Sequence, residues 1–164
     1  MKSLVVIAGV CMVMGAVPLR ADVPLPRFTR TEPGAGYPVV ADVATGLVWQ
    51  GCAAGLTGSG CTGSAWTMTW QAALDYCQDS TWAGFTDWYL PNVNELRSIV
   101  DNQRVSPSID PTVFPATPST GFWSSSSYAG SASFAWTVYF NAGYVNPNYA
   151  KTSTFYVRCV RRGP

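Results

Sequence analysis

The 164 residues suffice for one domain with a real core, and 10 basic against 9 acidic side chains give a formal charge of +1. There is no histidine, which excludes Ser–His–Asp and Cys–His catalysis and any His-based metal site. No basic patch of the size nucleic-acid binding needs is visible, so nucleic acid is not expected as a partner.

Lys2 is followed by an apolar run of 14 residues, Leu4 to Val17, and then by Pro18, Leu19, Arg20 and Ala21. This pattern predicts a secretory signal peptide over 1–21, cut after Ala21. The run is shorter than the roughly 17–25 residues that span a bilayer. No stable membrane insertion is expected after cleavage, and the chain is read as exported, to the periplasm, the cell surface or the medium. Without Lys2 and Arg20, 8 basic side chains face 9 acidic ones, a net charge of −1.

Cys11 leaves with the signal. Cys52, Cys61, Cys77 and Cys159 remain, and an even count in an exported chain predicts two disulfides. Three pairings exist. Cys52–Cys61, closing a Gly-rich loop, and Cys77–Cys159, tying a helix to the final strand, are the pair expected. The spacing is not that of a zinc site.

Residues 22–38 hold Pro24, Pro26, Pro33 and Pro38 and read as an extended leader. The domain is expected over 39–164. "VVADVATGLVWQ" predicts a hairpin turning at Thr45-Gly46. "CAAGLTGSGC" is a loop. Thr69 is then a candidate N-cap, and Trp70, Ala73, Leu74 and Cys77 recur at helical spacing, so Cys77 points inward.

In "GFTDWYLPNVNELRSIVD", residues 84–101, Pro91 forces Leu90 into an extended conformation. Asn92 and Glu95 form a capping box for a helix whose apolar face is Val93, Leu96, Ile99 and Val100. Asp87, Asn92 and Glu95 could be ligands, but a turn and a helix cap account for them without chemistry.

Between Pro111 and Val157 the only charged residue is Lys151. Trp136, Val138 and Phe140 alternate with Thr137, Tyr139 and Asn141, as in a half-buried strand. Asn141-Ala142-Gly143 is a turn, and the last strand is expected over about 154–161 with Val157 and Cys159 inward. Helices first and strands after give an α+β domain of two helices and antiparallel hairpins, stapled by disulfides. Arg158, Arg161 and Arg162 read as a solvated strand end.

No P-loop, GxGxxG or GxSxG is present. Asp75 with Asp79, and Asp101 with Asp110, are ordinary solvated carboxylates, so no enzyme is expected. The Ser, Tyr, Asn and Gly content after residue 111 matches what binding loops use. With Trp136, Val138 and Phe140 in the core, Tyr128, Tyr139, Asn141, Tyr144, Asn146, Asn148 and Tyr149 become the candidate ligand-binding residues.

"TGLVWQ", "TWQAALDYC", "GFTDWYLPNVNELRSIVD", "SIDPTVFP", "FWSSSSYAGSASFAWTVYFNAG" and "VRCVR" follow one another from about Asp42 to Arg161. In that order they resemble the Lcl C-terminal domain family, called after a collagen-like adhesin of Legionella. The resemblance implies a C-type-lectin-like fold related to formylglycine-generating enzymes, and an exported bacterial adhesion module. Its partner would be a glycan or a cell-surface protein; the named member binds sulfated glycans. Tyr89 stands where the family usually has arginine. The Glu-Pro-Asn and Trp-Asn-Asp motifs of calcium-dependent lectins are missing, and Asn146-Pro147-Asn148 is a faint echo of them. No cofactor is therefore expected; calcium has no motif behind it. Two other readings stand beside adhesion. One is a variable protein of a diversity-generating retroelement, whose substitutions would fall in 127–155. The other is a structural envelope or appendage protein without a small ligand. An enzyme of the formylglycine-generating type would need free thiols.

Overall fold

A computed structural model describes residues 26–164. The expected signal peptide lies outside the described residues. In chain order the elements are β1 (Phe28–Gly34), β2 (Tyr37–Asp42), β3 (Leu47–Gln50), β4 (Leu56–Thr57), β5 (Thr62–Gly63) and β6 (Thr67–Met68). Then come α1 (Trp70–Gln78), a 3-10 turn at Trp82–Gly84, α2 (Val93–Ser98), β7 (Gly121–Ser127), β8 (Phe134–Tyr139), β9 (Tyr144–Ala150), β10 (Phe155–Tyr156) and β11 (Val160–Arg162). This is an α+β chain with two disulfides.

The strands make a four-stranded sheet in the order β1-β2-β3-β11, a five-stranded sheet in the order β6-β10-β7-β8-β9, and a small β4-β5 hairpin. Much of the expected leader is therefore a strand. Residues 28–34 pair antiparallel with β2, from Phe28 opposite Asp42 to Gly34 opposite Tyr37. Pro33 is tolerated because it sits at a register break on the edge of the sheet.

The β2–β3 hairpin turns where expected. The Asp42 carboxylate accepts the Ala44 N–H at 3.0 Å and the Thr45 hydroxyl at 2.9 Å, and Gly46 takes the positive φ of 69°. Arg27 donates twice to the same carboxylate, at 3.0 and 2.8 Å. α1 begins after Thr69 and buries Ala73 and Cys77. α2 carries the full capping box: Asn92 accepts from the Asn94 and Glu95 N–H groups, and Glu95 accepts from the Asn92 N–H at 2.8 Å.

The core fills the space beneath the sheets with Trp49, Trp123, Phe114, Phe122, Phe140 and Leu96, all fully buried. Both expected disulfides form, with Cα–Cα separations of 5.3 Å for Cys52–Cys61 and 5.5 Å for Cys77–Cys159.

The last strand is not one strand. β10 pairs with β6 and β7 in the larger sheet, whereas β11 pairs with β3 in the smaller one. The chain changes sheets between them, and Val157, Arg158 and Cys159 are all buried in passing. The alternation expected of a single strand fails because the crossing has protein on every side. Ala54 donates to the Val157 carbonyl and Gln50 to the Cys159 carbonyl on the way.

Arg158 thus belongs to the core and not to a solvated end. Its guanidinium donates to the Gln50 carbonyl and the Thr117 hydroxyl, both at 2.8 Å, and lies 4.8 Å from the Phe114 ring centroid. Burial, and then the charge of Arg30, push its pKa down to about 9. Arg161 pairs with Asp87 and covers the Phe85 ring at 4.0 Å, so only Arg162 of the three is exposed.

Candidate functional site

Four strands of the larger sheet share a row of rings that runs from the core out to the surface. Gly121 of β7 lies opposite Tyr139 of β8, which lies opposite Tyr144 of β9. A Cβ on residue 121 would sit 2.7 Å from the Phe155 ring and 3.0 Å from Tyr139 Cζ. Glycine therefore clears the strand so that rings can lie across it.

The rings form a continuous series. Tyr144 stacks on Tyr139 at 4.9 Å with 7° between the planes. Tyr139 lies 5.7 Å from Tyr149, Tyr149 is 4.7 Å from Phe155, and Phe155 is 4.8 Å from Trp123. Pairs of this kind contribute about 0.5–1.5 kcal/mol each beyond the area they bury. Trp123 anchors the inner end, fully buried, with its indole N–H donating to the Met68 carbonyl at 2.9 Å. Tyr144, 46% exposed, forms the outer end.

Lys151 is fixed near the far end of β9. Its Nζ lies 3.7 Å over the Trp70 ring and donates to Ser127 Oγ at 2.8 Å. Trp70 is itself held by an N–H donated to the Ser124 carbonyl.

The face is uncharged at its centre. Burial first, then the neighbouring Tyr149 hydroxyl, holds the Tyr139 phenol above its ordinary pKa. It remains a neutral donor and acceptor at physiological pH. What such a surface offers a ligand is rigid aromatic area with a few hydroxyl groups.

The structure brings together only some of the expected residues. Tyr139, Tyr144 and Tyr149 share the ring face, but Tyr139 and Tyr149 are half-covered by their neighbours and are not freely exposed as expected. Tyr128 lies elsewhere, edge-on to Trp136 at 6.1 Å and folded over Gly130. Asn141 is in the β8–β9 turn; its carbonyl accepts from Ser106, and its side-chain Oδ1 is buried without a partner. The Asn146 side chain accepts the Asn148 N–H at 2.9 Å and so shapes β9. Asn148 is exposed on the edge strand.

Trp136 is not a core residue. Ala135 pairs with Tyr149 but Thr137 pairs with Asn146, so Pro147 and Asn148 of β9 together face Trp136 of β8. The register with β7 also breaks between Trp123 and Ser127. Trp136 lies where both neighbouring strands bulge and is only half-buried, edge-on to Tyr128, while Ala135 and Thr137 are buried.

Phe155, Gly121 and Trp123 escape a reading of local sequence. Phe155 reaches the face only because β10 pairs with β7 across 34 residues of chain, Tyr156 being opposite Phe122. A lone glycine at the head of "GFW" was the available signal, since glycine inside a strand marks a close approach.

Asp87, Asn92 and Glu95 are occupied structurally, by Arg161 and by the α2 cap. Tyr89 donates its hydroxyl to Glu95 at 3.1 Å. Burial and then the Glu95 charge raise its pKa to about 12. Among the described residues no three His, Cys, Asp or Glu side chains gather as metal ligands would.

No curated protein matches the chain. Residues 38–161 match the Lcl C-terminal domain, from the second strand of the first sheet to the last strand that closes it. The chain belongs to the Lcl C-terminal domain family.

Proposed function

We propose that the chain is an exported, adhesin-like recognition module that binds a glycan or a cell-surface protein through the face of Tyr139, Tyr144, Tyr149 and Phe155. The observation that carries this reading is the ring series cleared by Gly121 and ending in an exposed Tyr144. Rings already stacked on one another lose little freedom when a ligand docks, so more of the contact energy appears as affinity. Their hydroxyls supply hydrogen bonds without charge. Lys151 would set the polarity of one end of the docked ligand.

A C-type-lectin-like fold is in keeping with two sheets, two short helices and paired disulfides. The disulfides suit an oxidising compartment, and none of the described helices is long and apolar enough to cross a membrane. A non-enzymatic role is favoured because Cys52, Cys61, Cys77 and Cys159 are all in disulfides and offer no thiol for oxidative chemistry.

A glycan array with the oxidised domain, run with calcium and again with EDTA, tests the reading. Saturable hits that Tyr144→Ala abolishes, and that EDTA leaves in place, are expected. A blank array shifts the ligand to a surface protein. If Tyr144→Ala also leaves cell-surface binding intact, the face has no part in recognition.

A further inference from the structure

A second cleft, built from other elements, lies where the β1–β2 turn meets the end of α1 and the 3-10 turn. It has a volume of about 480 Å³, and its walls include Tyr37, Tyr76, Asp79, Ser80, Thr81 and Trp82. That volume is within the usual range for small-ligand sites.

Its walls combine ring and polar groups in a specific way. Tyr37 is 45% exposed and is held upright by an edge-to-face contact with the buried Trp82 at 5.0 Å. Trp82 is fixed in turn, its indole N–H donating to the Pro38 carbonyl at 2.8 Å. Asp79 and Thr81 are exposed, and no hydrogen bond among the described residues occupies either side chain.

Ser80 is more constrained. Its Oγ accepts from Gln50 Nε2 at 3.1 Å and from the Trp82 N–H at 3.3 Å. Both acceptor positions are filled, so the hydroxyl has only a proton left to give. Burial pushes the Tyr76 phenol above its ordinary pKa, which keeps it a donor as well. Ala83, between Trp82 and Gly84, holds a positive φ of 55°, a conformation that costs a non-glycine residue energy.

The cleft therefore offers an acceptor at Asp79, a donor at Ser80, and groups that do both at Thr81 and Tyr76. A ligand that only donates, such as an alkylammonium, would leave the Ser80 proton facing it. An anion would meet Asp79. What fits is an uncharged group whose hydroxyls give and accept, with a C–H face to lay on Tyr37. We infer that this cleft is a binding site for a single neutral sugar residue, separate from the ring face of the larger sheet.

The test is a titration of the full, oxidised domain with the methyl glycosides of glucose, galactose, mannose and N-acetylglucosamine, followed by amide chemical shifts. Choline and lysine serve as charged controls. Saturable shifts with at least one glycoside, confined to Gly34, Tyr37, Tyr76 and residues 79–84, are expected. Asp79→Asn and Tyr37→Ala should each weaken that response by about tenfold or more, and Tyr37→Phe should retain it. Tyr144→Ala should leave it unchanged, which separates this site from the ring face. Thermal unfolding of each variant shows that the fold is kept. Silence with all four glycosides overturns the proposal. So do shifts produced by choline or lysine alone, and so does an undiminished response in folded Asp79→Asn.

Discussion

Gly121→Ala reverses the sign that strand preferences would give. On an open strand surface, alanine in place of glycine is stabilising by about 0.4–1 kcal/mol, because the unfolded chain loses freedom. Gly121 does not have a positive φ, so its backbone would accept alanine. The space would not. The new methyl would lie 2.7 Å from one Phe155 ring carbon, 2.9 Å from another and 3.0 Å from Tyr139 Cζ. Phe155 is flanked by Trp123 and Tyr149 at 4.8 and 4.7 Å, so any shift of its ring disturbs both contacts. Overpacking of this kind costs about 1–3 kcal/mol. The balance is a loss of about 1–2 kcal/mol, or a fall in midpoint of about 3–8 °C for a domain of this size. Thermal unfolding followed by near-ultraviolet circular dichroism reads both the midpoint and the ring packing. Phe155→Ala in the same chain should relieve the two shortest contacts and leave the one to Tyr139, so that Gly121→Ala costs clearly less in that background. A midpoint unchanged or raised by Gly121→Ala alone would refute the ring arrangement.

Three further outcomes are expected. Replacing Cys77 and Cys159 together by alanine should cost about 4.5 kcal/mol on loop-closure grounds, against about 2.5 kcal/mol for Cys52 and Cys61, because 82 residues are enclosed instead of 9; urea unfolding of the two variants measures the difference. Asn92→Ala removes the acceptor for two N–H groups and should cost about 1 kcal/mol by the same assay. Burial opposes the Asp42 charge, but Arg27, the Thr45 hydroxyl and the Ala44 N–H outweigh it and hold the pKa below 3.8. Its folded pKa being the lower one, Asp42 contributes stability above pH 3.8 that is lost as the pH falls through the folded value. The acid limb of a stability–pH curve should be shallower in Asp42→Asn.

Local chemistry was legible in the sequence wherever a few neighbouring residues decide the conformation. The Asn92–Glu95 box, the Thr45-Gly46 turn and the inward Cys77 are of this kind, and each forms as read. The disulfide pairing was legible because Cys52 and Cys61 bracket a flexible loop, which leaves Cys77 and Cys159 for each other. What failed depends on partners far away in the chain. Residues 28–34 look like a proline-rich leader until β2 provides an edge to pair with. Trp136 has the right spacing for the core, yet it stands where both neighbouring strands bulge and is left half-buried. Arg158 resembles a surface charge, yet the change of sheets carries it inside, where carbonyl, hydroxyl and ring replace water. Of the candidate site, three tyrosines were legible as a group. Phe155 was not, because its place is set by a strand pairing and not by its neighbours.

The ring face is tested most directly by comparing wild type, Tyr144→Ala and Asn141→Ala for binding to one glycan array and to one preparation of cell surface. Each protein is also carried through thermal unfolding. Tyr144→Ala should lose about tenfold or more of the binding signal with its midpoint within about 5 °C of wild type, since it gives up one ring pair at an exposed edge. Asn141→Ala, in a turn off the ring face, should bind as wild type does. Undiminished binding by a folded Tyr144→Ala, or equal losses in both variants, would contradict the account.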